Sequence, residues 1–245
     1  MRFTTPAIFV ALRPHGEHGA VVRLMTPEHG LQAAYVSGAK GKRMRPVLMP
    51  GNLVEATLSA RTETQLAHAR IELCHSRAPL LSEPLPAAAI NWATALTATV
   101  LPEAQSHQRL YSALDGLLAA IEAAPAASGW GAAMVRYELL LLAELGFGLD
   151  LSSCAVSGDT KQLVAVSPRS GRAVSATQAA PYMGKLLPLP GFVGGGGEAS
   201  WPDILDGLVL SGHFLQRDLI TDRAGAISEA RVRLIDRLRR AAGVA

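Results

Sequence analysis

Apolar and polar residues alternate over short stretches in residues 1–80, the pattern of half-buried β-strands. Glycine, proline and asparagine separate the stretches and mark turns. The five predicted strands are Ala7–Leu12, Ala20–Met25, Leu31–Val36, Leu53–Ala60 and Leu66–Leu73. Strands so short and so closely spaced favour a small barrel or a sandwich.

Beyond Glu83 the apolar residues recur every three or four positions, which predicts helices. The predicted helices are Ala87–Leu101, Gln108–Glu122, Met134–Leu145, Asp203–Leu219 and Ile227–Arg240. The third of these is apolar almost all round, as expected of the central helix of a bundle. In the irregular section near residues 152–192, the strand-like runs Gln162–Val166 and Arg172–Ser175 predict a small hairpin. We therefore predict an α+β chain, with a β-domain over residues 1–80 and a helical-bundle domain over 81–245 that carries the hairpin insertion.

The length and composition set the broad class. The 245 residues, of which 49% are hydrophobic, suffice for one or two buried cores. No apolar run is long enough to span a membrane, and the N-terminal stretch lacks the features of a cleaved signal peptide. Cys74 and Cys154 do not by themselves indicate a disulfide framework or a metal site. We expect a protein of the reducing cytoplasm.

Positive charge is concentrated in the first third of the chain. Residues 1–80 hold ten lysines and arginines against five acidic residues, whereas residues 81–245 hold thirteen against fifteen. Four of the cations, Lys40, Lys42, Arg43 and Arg45, fall in the stretch GAKGKRMRP at 38–46, which has no acidic residue. A pliable cationic loop on a small β-domain suits contact with a phosphate backbone. The alternative is a solvated turn that happens to be rich in lysine and arginine.

Several motifs along the chain resemble, in their order, the bacterial recombination-mediator family RecO. They are the turn at Gly16–Glu17, the turn Thr26-x-x-His29-Gly30-Leu31, the basic loop after the third strand, and the helix from Glu138 to Gly146 followed by Cys154. The resemblance covers essentially the whole chain. It implies an N-terminal five-stranded OB-fold barrel and a C-terminal helical domain.

The resemblance also implies a function. RecO-like proteins bind single- and double-stranded DNA and anneal complementary strands. They work with the partner RecR to load the RecA recombinase onto DNA coated by single-strand-binding protein, and they bind the acidic C-terminal tail of that coating protein. On this chain the implied DNA-binding residues are Lys40, Lys42, Arg43 and Arg45, with Arg13, Arg23 and Arg61. An ordinary solvated strand face is the alternative for Arg23 and Arg61.

The resemblance points to a second site at Arg136-Tyr137-Glu138. The matching arginine of the family helps to hold the partner's tail, whose carboxylate and aromatic side chain need a cation beside an apolar pocket. Arg136 can form a forked pair with such a carboxylate. The alternative is a surface arginine that pairs with a nearby carboxylate of its own helix.

The last helix carries a further basic set, Arg231, Arg233, Arg237, Arg239 and Arg240. This set would extend the DNA-binding surface if its side chains share the outer face. A charged outer helix face is, however, more often only solvated.

The chain departs from many RecO-like proteins at the position of their four-cysteine zinc site. Only Cys154 remains here, and the nearest later histidine, His213, lies far from the hairpin. Because a structural zinc site needs four ligands, we predict no zinc and no other cofactor. Cys154 is expected to be a small buried hydrophobic residue.

Enzymatic motifs are weak. His15, Glu17 and His18 fall in a turn without the helical spacing of a zinc protease, and Ser211-Gly212-His213 lacks a nucleophile elbow. We expect a DNA-binding mediator without catalytic residues. The alternative is a protein–protein adaptor with an incidental basic loop, and salt dependence separates the two because phosphate contacts weaken steeply with ionic strength.

Overall fold

The computed structural model describes residues 1–62, 65–124, 127–195, 197–220 and 225–244. They form two compact units, Met1–Ala123 and Ala124–Ala245. Among these residues no helix is both long enough and apolar enough to cross a membrane.

Five strands of the first unit close into a barrel with the order β1-β2-β3-β5-β4. The strands are β1 (Arg2–His15), β2 (Gly19–Thr26), β3 (Gly30–Val36), β4 (Leu53–Ser59) and β5 (Ala67–His75). Neighbouring strands are antiparallel, except that β3 and β5 pair in parallel. This closed five-stranded arrangement is that of the predicted OB-fold barrel.

Strand β1 closes the barrel because it is long enough to pair with two neighbours. Its residues 2–8 pair with β4 and its residues 8–15 pair with β2. The register shifts between Phe9 and Ala11, and a bulge of this kind bends a strand. Alternate side chains then point inward, and Val22, Leu24 and Leu58 are fully buried in the barrel core.

Two helices, α1 (Pro84–Val100) and α2 (Gln108–Ala123), complete the first unit. The buried Arg77 links α2 to the barrel, since it donates to the Gly51 carbonyl at 2.7 Å and pairs with Asp115 of α2 at 3.3 Å. Both helices thus group with the barrel by contact. The domain boundary predicted at residue 80 rests on the change from strand to helix in the sequence. It stays a prediction.

The second unit contains three longer helices, α3 (Gly131–Glu144), α6 (Trp201–Phe214) and α7 (Gly225–Ala241). A π-helical turn, Leu215–Leu219, continues α6 to the end of the predicted helix. The predicted hairpin is present as β6 (Leu163–Val166) and β7 (Ala173–Ser175), and β8 (Leu187–Pro188) adds a third strand. The short helices are α4 (Ala176–Ala179) and α5 (Gly191–Gly194), and 3₁₀ turns cover Ala78–Ser82, Ala127–Gly129 and Ala180–Lys185.

Helix α3 is less uniformly buried than its leucine run suggests. Leu141 and Leu142 are fully buried, whereas Leu139 and Leu140 are half-buried. Glu138 has no exposed surface at all, although its side chain ends in a carboxyl group. A buried carboxyl group needs a hydrogen-bonding or charged partner. Here the partner comes from the basic last helix, α7.

Candidate nucleic-acid interface

The basic stretch at residues 38–46, which we call the cationic loop, is a succession of hydrogen-bonded turns after β3. The amide of Gly41 donates to the Gly38 carbonyl at 2.9 Å, and the amides of Met44 and Arg45 donate to the Gly41 carbonyl at 3.0 and 3.2 Å. Gly38 has a φ of 66°, in the left-handed region that favours glycine. The loop therefore has a defined backbone rather than the pliable one expected from its glycines.

Apolar residues interleaved with the cations hold the loop on the barrel. Ala39 and Leu48 are buried in the barrel core, and Met44 packs against the same core. The buried side chain of Asn52 donates to the carbonyls of Pro46 and Val47 at 2.9 and 3.0 Å. These anchors fix where the loop presents its charges.

All four cations of the loop are exposed. None of them forms an ion pair with an acidic side chain in the part of the chain that the structure describes. Lys40 donates from Nζ to the Gly16 carbonyl at 3.0 Å, and Arg45 donates from Nε to the Lys40 carbonyl at 3.3 Å. Because the charges are not neutralised, the loop presents a positive potential to an anionic ligand.

The three further arginines predicted to bind DNA differ in their surroundings. Arg13 and Arg61 are exposed, and Arg61 lines a depression of about 660 Å³ together with His68. Arg23 is instead engaged within its own unit. Its guanidinium donates to the Ala98 carbonyl and pairs with Glu103, eighty residues further along the chain.

At the predicted tail-binding motif, only the arginine reaches the surface. Arg136 is exposed on α3, and its guanidinium carbon lies 5.4 Å from the centroid of the Phe192 ring. Nη2 of Arg136 also donates to the Phe192 carbonyl at 3.3 Å. Tyr137 is only 2% exposed, so its ring is part of the core and supports the helix from inside.

The last helix does not present all of its arginines on one face. Arg231 is only 6% exposed, and its Nη2 pairs with the buried Glu138 at 3.0 Å and donates to the Leu208 carbonyl at 2.7 Å. The hydroxyl of Ser211 donates to the same carboxylate. Arg231 therefore does not belong to an outer basic face of the last helix, because α7 packs that residue against α3 and α6. Arg233, Arg239 and Arg240 are exposed.

Cys154 is buried, as predicted, and its sulfur accepts a hydrogen bond from the Ser175 amide at 3.3 Å. Within the described ranges, no three histidine, cysteine or acidic side chains come together as metal ligands. That the protein binds no zinc stays a prediction.

The structure brings together three rings that the sequence analysis left apart. His15, Tyr35 and His68 lie on the outer face of the barrel, beside the cationic loop. They come from three different strands, β1, β3 and β5. The only sequence signal for them is that Tyr35 and His68 alternate with inward apolar residues of their strands.

An OB-fold barrel that presents an ordered, exposed cationic loop has the features of a nucleic-acid-binding domain. Comparison with known proteins agrees. The family model for the recombination protein O N terminal region matches residues 1–77, and the model for the recombination protein O C terminal region matches residues 82–241.

Similar proteins include the DNA repair protein RecO of Rhodospirillum centenum, 43% identical over 98% of this chain and 96% of the relative. The DNA repair protein RecO of Rhodospirillum rubrum is 44% identical, over 95% of this chain and 94% of the relative. That of a Bradyrhizobium strain is 44% identical, over 98% and 97%. The chain belongs to the RecO family of DNA repair proteins.

Proposed function

We propose that this protein is a recombination mediator that binds single- and double-stranded DNA and anneals complementary strands. The observation that carries the proposal is the set of four exposed, unneutralised cations on an ordered loop of an OB-fold barrel. Lysine and arginine side chains in this state can replace the counterions that are condensed on the phosphates of the backbone. No residue is assigned a catalytic role, and we place the protein in the cytoplasm.

Annealing follows from the same charges. Two single strands repel each other through their phosphates, and a loop that neutralises several phosphates lowers that repulsion. Arg13 and Arg61 extend the path of the backbone across the barrel. Arg23 is not part of the proposed path, because Glu103 already neutralises its guanidinium.

The proposed partner site is Arg136. Its exposed guanidinium is held over the buried ring of Phe192, which supports a positioned cation for a carboxylate of the acidic C-terminal tail of the single-strand-binding protein. The buried Tyr137 contributes by holding α3 in place. Cooperation with a RecR-like protein and loading of RecA rest on the family alone.

The test is a fluorescence-anisotropy titration of labelled single-stranded DNA with the wild-type protein and with a variant in which Lys40, Lys42, Arg43 and Arg45 are all alanine. We expect the variant to bind roughly a hundredfold more weakly and to lose annealing, since four phosphate contacts disappear. A control variant removes four exposed cations elsewhere and has the same net charge. Its substitutions are R109A, K161A, R169A and K185A.

The control is expected to keep DNA affinity within about threefold, because general charge acts only through screened, long-range attraction. An equal loss of DNA affinity in both variants would show that the loop acts only through its contribution to the net charge. Binding of the acidic tail peptide without any binding of DNA at low salt would favour the adaptor instead.

A further inference from the structure

Three rings form a row on the outer face of the barrel. The centroids of Tyr35 and His68 are 5.3 Å apart with their planes at 78°, and those of His15 and Tyr35 are 5.9 Å apart at 83°. Both histidines are exposed and the tyrosine is half-buried. Rings at these distances are in contact, so the three act as one surface.

The pairing of the strands creates the row. Tyr35 is opposite His68 between β3 and β5, and opposite Val21 between β2 and β3. Val21 in turn is opposite Arg13 of β1. All of these side chains point outward, because their strand neighbours Val22 and Ala34 point into the core.

A glycine makes room for the central ring. A Cβ atom added at Gly19 would lie 2.2 Å from the hydroxyl oxygen of Tyr35 and 2.5 Å from ring carbons. The hydroxyl end of the Tyr35 ring therefore lies over Gly19 at the start of β2, where any larger residue would displace it.

The row lies between cations. Arg13 is at one end, and at the other end Arg61 and His68 line the same depression. The cationic loop adjoins the row at its first ring, because Lys40 donates from Nζ to the carbonyl of Gly16, the residue after His15, at 3.0 Å. Groups that attract phosphates thus flank groups that can stack on bases.

We propose that His15, Tyr35 and His68 form a stacking platform for the unpaired bases of single-stranded DNA. The inference rests on the proposed function, in which the cationic loop holds the phosphates. Aromatic rings stack on every base and so contribute affinity without sequence preference. In duplex DNA the bases are covered by their neighbours, and the platform contributes only to single-strand binding. It therefore gives the protein a preference for single strands.

The experiment measures the affinities of Y35L and of H68A for a single-stranded oligonucleotide and for the matching duplex. Each variant is expected to lose about tenfold of its single-strand affinity, the usual effect of one stacking ring, and to change duplex affinity less than about twofold. Y35F keeps the ring and should bind as the wild type does. H68A replaces an exposed side chain, so it tests the proposal even if Y35L folds poorly.

A matched control is available at the other end of the barrel. His29 forms a ring pair with Phe3 at 4.2 Å, in the turn between β2 and β3, whereas the row adjoins the turn between β1 and β2. H29A removes a ring of the same kind, and we expect no change in either affinity.

The outcomes separate the two proposals. If the wild-type protein binds neither form of DNA, the proposed function and this inference both fail. If binding still depends on the loop cations but Y35L and H68A leave the ratio of single-strand to duplex affinity unchanged, only the inference fails. The rings would then be a cross-strand cluster that stabilises the barrel.

Discussion

The cationic loop and the last helix both concentrate basic residues, and they use arginine in different ways. Arg43 and Arg45 in the loop are exposed and face no acidic partner among the described residues. Arg231 in α7 is buried and paired with the buried Glu138. An exposed cation without a partner is available to a ligand, whereas a buried and paired one belongs to the core.

The energetic consequences also differ. Removing an exposed cation costs the fold little, since surface charges contribute little to stability. Removing Arg231 leaves the Glu138 carboxylate buried without its cation, and an uncompensated buried charge is strongly destabilising. The comparison therefore predicts that DNA binding and stability respond to different arginines.

The largest effect on stability is expected for R231A. The free energy of unfolding should fall by about 3–5 kcal/mol, because Glu138 loses the cation that compensates its burial. Chemical denaturation measures this change. R233A is the control on the same helix, because Arg233 is exposed and its ion pair among the described residues is with the exposed Glu229 at 3.3 Å; its loss should cost less than about 0.5 kcal/mol. Similar stability of R231A and R233A would contradict the distinction between buried, paired arginines and exposed ones.

The next effect concerns the anchor of the cationic loop. N52A deletes the donor to the carbonyls of Pro46 and Val47 and the acceptor for the Arg77 amide, which lies at 2.9 Å. Leaving these buried groups unsatisfied should lower the free energy of unfolding by about 1–3 kcal/mol. DNA affinity should also fall several-fold, because the cationic loop of the variant has lost its anchor and must become ordered when DNA binds. N91A, at an exposed amide of α1, should change neither quantity.

A smaller effect is expected at the proposed partner site. R136A should weaken binding of an acidic tail peptide about tenfold, the value of one charge-assisted contact, and leave DNA affinity as it was. R136K should restore only part of the affinity, since lysine lacks the fork of arginine. Isothermal titration with the peptide measures both. Unchanged peptide affinity in R136A would take Arg136 out of the site.

The smallest effect is predicted for Arg23. R23Q should alter DNA affinity by less than about twofold, because Glu103 already neutralises this guanidinium. R13Q, which changes an exposed arginine of the same barrel face, should weaken binding by a few-fold at low salt. A larger loss in R23Q than in R13Q would show that exposure and pairing do not decide which cations bind DNA.

Much of the fold was predictable because alternation and helical spacing are local properties of the sequence. The five strands, the hairpin and the main helices all follow from them, and the charge of the loop is visible in nine consecutive residues. The closing of the barrel was not visible from periodicity, since it depends on β1 pairing with both β2 and β4.

The parts that could not be predicted are long-range pairings. Glu103 is far in sequence from Arg23, and Glu138 is far from Arg231, so neither partnership leaves a local pattern. The same holds for the ring row, whose members come from three strands. Arg231 was grouped with the basic set of the last helix by charge alone, and charge does not reveal which face of α7 packs against α3 and α6.

The most direct test of the central claim is the salt dependence of single-stranded DNA binding by the wild-type protein and by the variant without the four loop cations. For single strands, the slope of log K against log salt concentration is about −0.7 for each phosphate that is neutralised. If the loop binds the backbone, the slope of the variant should be shallower by about 3. Identical slopes for the two proteins would show that these cations do not contact phosphates, and would contradict the account.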